Sequence, residues 1–531
     1  MDPSVLQRAG HWRAAVSICI VFWLQFAWVS PTNFNGYDEW LNLSLTSRGI
    51  LAFPYANRPL ALLWNVPTTW LGTDLVTAHY LLHGLYLSLT GVLAYLIVRR
   101  LAPNAPLLAW LAGTFAATWA PRDFLRLDSV QMLLYGGFMA ATLCSLLLLA
   151  GSWRPGRAWL LAPAVALAFC ALRTYEGCLP LLVAAPPALA AVSQPQPRWH
   201  WALAWYSALV VGIAQMLGWW GDGTTSLAYQ SMISRDLDLL PLAKRLIQHF
   251  GFSADPLIRP TWQELAVPRV MPALIAFAVG LAWAVPADPL SAQTRRTYAW
   301  AVGLGLLLAG LGWAPFAISP QLTSPDRTQF LPAPGMGLAL AGAILWLASF
   351  LPHRWRMVGV AALAGWVMWV GTARILAMQR QWDERSAFPA QAEFLRHLTR
   401  WAPDLRSNTL VVLFDDTATW GAIAFRHAVE YLYENRACGY LWGSRNMLYR
   451  IDVTPAGVVY ETGVDIRRAW QSPPTLHRPH EIVFVRYGSN RSVTVLDHWP
   501  ESFPLSAPAV YAPSARVVTA RPAPKARAVL H

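Results

Sequence analysis

Eleven apolar runs recur along the first 375 residues, many of them close to the length of a bilayer crossing and nearly free of charge, and arginines cluster after every second one. Runs of that kind need lipid, or a very large core, to bury them. They lie at 14–30, 75–98, 106–119, 130–150, 158–172, 178–192, 201–219, 270–285, 298–313, 334–351 and 358–375. Some are short and bounded by proline, so ten to twelve spans is the range the pattern allows. Only 13% of the chain is charged and 55% is apolar, whereas a soluble domain carries about a quarter charged residues. The fold class expected is an all-α polytopic membrane domain of about eleven transmembrane helices over 1–378. A small α/β domain comes next over 379–515, and a disordered basic tail over 516–531. Arg8 and Arg13 precede the first run as in a signal peptide, but Ala27-Trp28-Val29 is too bulky for cleavage, so the run reads as a retained helix.

The arginines set the orientation. With a cytoplasmic N-terminus, the inner segments hold Arg8, Arg13, Arg99, Arg100, Arg154, Arg157, Arg198, Arg295, Arg296, Arg354 and Arg356 against only Asp2 and Asp288. That is the positive-inside pattern of a multi-pass protein, read here as one of a bacterial inner membrane. An odd number of spans then puts the C-terminal domain outside. The outer loops mix signs instead, with Asp38, Glu39, Arg58, Arg122, Asp123, Arg126, Asp128, Arg173, Glu176, Asp222, Arg235, Asp236, Asp326 and Arg327. Chemistry is therefore expected on the outer face. The net charge of +13 comes almost wholly from arginine, without basic runs, and does not indicate a nucleic-acid partner. Five cysteines without a CxxC spacing indicate neither a disulfide framework nor a zinc knuckle.

Beyond residue 378 the pattern changes. An amphipathic helix is expected over 391–401, a buried strand over 409–414, a helix over 419–433, and strands at 457–460 and 481–485. Asp415-Asp416 ends the first strand and reads as a cap for the next helix rather than as a metal site.

In the first outer loop, Asn33-Phe34-Asn35-Gly36-Tyr37-Asp38-Glu39-Trp40 places two carboxylates side by side. Neighbours on a helix point about 100° apart, so one of the two is expected to serve the site, and Asp38 is the choice. The same acids also suit a solvated loop or a helix N-cap. Arg58 in Asn57-Arg58-Pro59-Leu60 is a fork that can grip phosphate in two places. His79 and His83 have the i, i+4 spacing of zinc ligands but lack a third at a telling distance, and they read as polar packing. Two further outer loops carry Arg122, Asp123, Arg126 and Asp128, and then Arg173-Thr174-Tyr175-Glu176, whose Arg173 and Glu176 are spaced to pair with each other.

These segments taken together resemble the multispanning GT-C glycosyltransferases, most closely their O-mannosyltransferase-like members. The resemblance runs from about residue 14 to 351. It rests on Asp38-Glu39, on Arg58-Pro59-Leu60 before the second helix, on Leu81-Leu82-His83-Gly84-Leu85 within it and on Arg99-Arg100-Leu101 after it. It rests further on Leu179-Pro180-Leu181 after Glu176, and on Asp326-Arg327-Thr328-Gln329-Phe330-Leu331-Pro332 before a glycine-rich helix. The chain departs from that group by lacking tetratricopeptide repeats, by Arg173 where a lysine is common, and by Ala120-Pro121 where the loop commonly starts His-Pro.

The resemblance implies transfer of a sugar from a polyprenyl-phosphate donor to a hydroxyl on a glycan, lipid or protein acceptor. Asp38 would be the general base, beside Glu39. Asp123 and Asp128 are candidates for orienting the acceptor or a metal. Arg58, Arg122, Arg173 and Arg327, with Glu176, would hold the phosphate side. Related enzymes often work without metal, so no cofactor is expected, with a divalent ion left open. A transporter or flippase of lipid-linked sugar is the alternative outside enzymes, a membrane scaffold a third reading, and a polysaccharide ligase or polymerase the enzymatic rival.

Overall fold

The computed structural model describes residues 3–53, 58–192, 199–216, 237–283, 292–319, 324–444, 448–519 and 525–530. Asn57, Arg198, Asp222, Arg235, Asp236 and Asp288 lie outside the described residues, as does the 217–236 part of the long loop.

A helix occupies each of the eleven expected apolar segments, as far as these are described. In chain order the named helices of this part are α1 (Pro3–Phe26), α2 (Glu39–Ser47), α3 (Leu75–Leu101), α4 (Pro106–Thr118), α5 (Ser129–Ser152) and α6 (Leu161–Thr174). They continue with α7 (Leu179–Val192), α8 (Trp199–Met216), α9 (Leu239–Ile258), α10 (Met271–Trp283), α11 (Ala292–Ala317), α12 (Ala333–Ala348) and α13 (His353–Arg385). Four stretches are long and apolar enough to cross a membrane: Leu75–Leu101, Ser129–Ser152, Thr294–Ala317 and His353–Trp401. Five shorter apolar helices accompany them, Pro106–Thr118, Ala158–Thr174, Glu176–Ala190, Pro268–Trp283 and Ala333–Ala348, and together these features suggest a membrane-associated protein.

Local chemistry explains the helix ends. Asp74 caps α3 by accepting from Thr77 N at 2.9 Å, and Asp128 caps α5 by accepting from Gln131 N at 3.0 Å. The glycines of α12 serve close packing, because a Cβ on Gly337 would stand 2.6 Å from the carbonyl oxygen of Ala112 in α4. His79 and His83 are buried in α3. His79 Nδ1 meets Leu75 O at 2.7 Å and its Nε2 meets the Asn65 amide at 3.3 Å, while His83 Nε2 meets Arg126 O at 3.1 Å. They are polar packing, as expected.

The expected boundary at 378 falls inside α13, which runs unbroken to Arg385. Beyond it stand α14 (Phe388–Trp401), β1 (Thr409–Asp415), α15 (Ala422–Leu432), β2 (Ala437–Leu441), β3 (Tyr449–Thr454), β4 (Gly457–Thr462), α16 (Val464–Trp470), β5 (Thr475–His477), β6 (Ile482–Tyr487) and β7 (Val493–Val495). One sheet has the order β2-β1-β6-β7, with β1 parallel to both neighbours and β7 antiparallel at the edge; the other is β3-β4-β5, all antiparallel. The carboxylate of Asp415 accepts from Thr417 N and Trp420 N, both at 2.9 Å, so it ties the β1–α15 loop rather than the helix itself. Asp416 lies 3.6 Å from Arg486 at the surface.

The C-terminal stretch departs from the disordered tail expected over 516–531. Leu405 and Val517 form an antiparallel bridge, and residues 525–530 make a short turn in which Val529 and Leu530 are buried. Arg396 donates to Leu530 O at 2.7 Å. Two apolar residues at the chain end give the segment something to bury, which its Arg, Pro and Ala content obscured.

The two parts grip each other through the first loop. Trp40 Nε1 donates to Gln391 at 2.8 Å, Phe34 meets Phe388 edge-on at 4.9 Å, and Ala387 N donates to Phe34 O at 2.9 Å. At the far edge, Trp470 Nε1 donates to Ala52 O at 2.9 Å.

Candidate active site in the loops beneath the C-terminal domain

Gly36, at φ +89°, turns the loop before α2. The turn aims three amides at one carboxylate: Glu39 accepts from Asn35 N at 2.5 Å, Gly36 N at 3.1 Å and Tyr37 N at 3.0 Å. Glu39 is fully buried beside Asp128, also fully buried, near enough for each carboxyl to act on the other. Two buried carboxyls this close resist carrying charge together. Burial first, and the neighbouring Glu39 charge second, hold Asp128 well above the usual carboxylate range. Burial also raises Glu39 despite its amide partners.

Asp38 is the residue before α2, yet its side chain makes no cap bond. It is half-buried, and its Oδ2 accepts from Gln131 Nε2 at 3.0 Å. The adjacent acids therefore diverge, as helical geometry requires: Glu39 builds the loop, and Asp38 presents its carboxylate at the N-terminal turn of α5.

Asp123, on the loop between α4 and α5, is completely buried. Its Oδ1 accepts from Arg327 N at 3.1 Å, where Arg327 takes a left-handed φ of 66°. Its Oδ2 has no hydrogen-bond partner among the described residues. Burial, reinforced by Asp326 nearby, pushes the Asp123 carboxyl up to about 7. Arg126 leaves that carboxylate without a fork, because it donates to Trp119 O and Ala117 O, both at 2.8 Å, closing the end of α4.

Arg58 and Glu176 form a two-point ion pair, with Nε to Oε2 at 3.0 Å and Nη2 to Oε1 at 2.7 Å. Glu176 thus takes Arg58 as its fork partner rather than Arg173, whose Nη1 points to Gly212 O at 3.4 Å. The Arg58 guanidinium lies 4.5 Å over the ring of Tyr175. Tyr175 in turn packs against Tyr135 at 5.1 Å and Phe138 at 5.2 Å, and Tyr135 against Phe330 at 5.8 Å. The charged groups acting on the Tyr175 hydroxyl are Arg58, Glu176 and Arg327.

These contacts put Arg58, Glu176 and Arg327 around one tyrosine. Tyr135 beneath it is one helical turn along α5 from Gln131, the residue that holds Asp38. Arg173 lies behind this group. Arg122 lies apart: it is exposed, its N–H bonds Phe252 O at 2.9 Å, and its charge neighbours the Arg374–Asp255 pair. Glu39 and Asp128 lie beneath Asp38, too enclosed to meet a ligand directly.

Sequence reasoning missed Gln131, Tyr135, Tyr175 and Phe330. Gln131 carried a visible signal as an amide in the first turn of an otherwise apolar helix, while the aromatics were indistinguishable from core residues. Among the described residues no three His, Cys, Asp or Glu side chains come together as metal ligands.

The arrangement offers an accessible carboxylate that can take a proton, held at the first turn of α5, and guanidinium groups that can receive an anion around Tyr175, which packs against Tyr135 on the next turn of that helix. Compared with known proteins, the chain matches no family model and no curated relative.

Proposed function

We propose that this chain is an integral-membrane glycosyltransferase that moves a sugar from a polyprenyl-phosphate donor to a hydroxyl acceptor at the outer membrane face. One observation carries the reading: of the four candidate catalytic acids Asp38, Glu39, Asp123 and Asp128, Asp38 alone is incompletely buried, and it is held by Gln131 of α5, one helical turn from the Tyr135 that packs on Tyr175 in the Arg58–Tyr175–Arg327 group. Asp38 takes the proton of the acceptor hydroxyl as its oxygen attacks the anomeric carbon. The bond from that carbon to the phosphate oxygen breaks on the opposite side, with inversion, and the phosphate leaves with the electron pair. Arg58 and Arg327 receive its charge, with Arg173 behind them. A glycan, a lipid or a protein can supply the acceptor. The arginine asymmetry of the loops supports an N-terminus inside and a site and C-terminal domain outside.

The test is transfer of radiolabelled sugar from polyprenyl phosphate to acceptor in purified membranes. Asp38→Asn keeps shape and hydrogen bonding but cannot take the proton, so turnover should fall by about 10² or more while donor binding persists. Glu39→Gln is no neutral control, because Glu39 holds three amides of the loop. Undiminished transfer by Asp38→Asn would overturn the assignment.

A further inference from the structure

At the end of the bundle away from Asp38, helices α3, α5, α7 and α11 part around a cavity of about 800 Å³. Its walls include Val98, Leu147, Ala185, Leu189 and Leu304, and Trp300 and Leu307 stand exposed at its lip. The α11 wall runs from Thr297 to Leu308. At 1.5 Å per residue that is about 16 Å, close to one leaflet of a hydrocarbon core roughly 30 Å thick. A cavity of that length takes the chains of a lipid from a single leaflet.

Arg100 is the one charged residue in its lining, at the end where α3 and α5 finish, and it donates to Ala150 O at 2.9 Å. Both charged groups acting on it are further arginines, Arg154 and Arg157. No acid among the described residues pairs with any of the three. Three guanidinium groups gathered at the mouth of an apolar cleft, at the level where helices leave the membrane, fit a phosphate headgroup above acyl chains.

We propose that this cavity is a binding site for an anionic glycerophospholipid, its acyl chains between α3, α5, α7 and α11 and its phosphate on Arg100, Arg154 and Arg157. The proposal rests on the membrane-spanning reading but not on Asp38 chemistry. The full chain, purified in neutral detergent with equal phosphatidylglycerol and phosphatidylcholine, is subjected to native mass spectrometry. One phosphatidylglycerol per chain should be retained, in about tenfold preference to phosphatidylcholine. Replacing Arg100, Arg154 and Arg157 together by Ala should abolish the preference, and Ala185→Trp, which fills the cavity, should reduce retention of both lipids. Equal retention by the parent chain, or an unchanged preference in the triple variant, overturns the site. Carbonate extraction run in parallel separates the two readings: a chain that stays with the membrane but shows no preference refutes this site alone, whereas one released as soluble protein refutes the membrane reading and the site with it.

Discussion

In the C-terminal domain the Arg426 guanidinium lies between the rings of Tyr449 and Tyr460, at 4.2 and 4.0 Å, and meets Glu430 at 2.8 Å, with His427 2.9 Å from the other Glu430 oxygen. In the outer loops, Asp123, Asp128 and Glu39 are buried at least as deeply, but none is gripped by an arginine fork among the described residues. Burial alone would raise Glu430; Arg426 and then His427 pull it down to about 2. The same burial carries Asp123 up to about 7. One cluster is a closed set of compensated charges that joins α15 to the second sheet. The other holds its acids on backbone amides without a cation, which costs stability unless a proton or a ligand offsets it. Buried acids without a cation, beside an accessible carboxylate, are the ground on which the proposed function places its site.

The largest effect expected from this contrast is in the closed cluster. Arg426→Ala leaves Glu430 buried without its cation and should cost about 3–5 kcal/mol, seen as early unfolding of the C-terminal domain in thermal melts of the full chain. The double change Arg426→Met with Glu430→Leu should recover much of that loss, since both charges go together. A melting temperature that Arg426→Ala leaves unmoved would break the comparison.

A smaller and opposite effect belongs to Asp123. Its folded pKa lies above its unfolded value, so between about pH 4 and 7 the native chain binds more protons than the unfolded one. Stability must then fall as pH rises across that window and level off above it. Asp123→Asn should remove its share of the slope, worth roughly 1–4 kcal/mol across the window, and match or exceed the parent in stability at pH 8. A slope that persists unchanged in Asp123→Asn would assign it to the Glu39–Asp128 pair instead.

Legibility in the sequence followed the same divide. Hydropathy placed a helix at each apolar segment, and the local apolar patterning beyond residue 378 placed β1, β4, β6 and α15, because one-dimensional patterning is what creates those elements. The divergence of Asp38 and Glu39 was legible too, from the 100° step alone. Partner choice was not. Arg173 and Glu176 are three residues apart and suited to pair, yet Glu176 reaches across 118 positions to Arg58. A fold-wide approach of two loops leaves no local trace. Asp128 reads from the sequence only as a candidate site acid; it caps α5 and also lies against Glu39, which only the packing of α2 on α5 reveals. The buried end at Val529 and Leu530 escaped notice because two apolar residues in a stretch rich in Arg, Pro and Ala make no pattern.

The mildest change sharpens the comparison most, because it tests whether the Arg58–Glu176 pair belongs with the closed cluster or with the site. The pair is partly open, with side-chain exposures of 19% and 34%, so its loss should cost no more than about 1 kcal/mol. Arg58→Lys keeps the charge but loses the fork and the stacking on Tyr175. The melting temperature should therefore scarcely move, while KM for the polyprenyl-phosphate donor rises severalfold and Arg58→Ala raises it further. Glu176→Gln separates the two roles. If Arg58 serves to anchor Glu176, Glu176→Gln should reproduce the Arg58→Lys defect. If Arg58 receives the phosphate, the weakened carboxylate competes less for the fork, and donor KM should stay level or fall. A rise in KM in both variants would move this pair out of the phosphate site and leave Arg327 as the anion partner beside Tyr175.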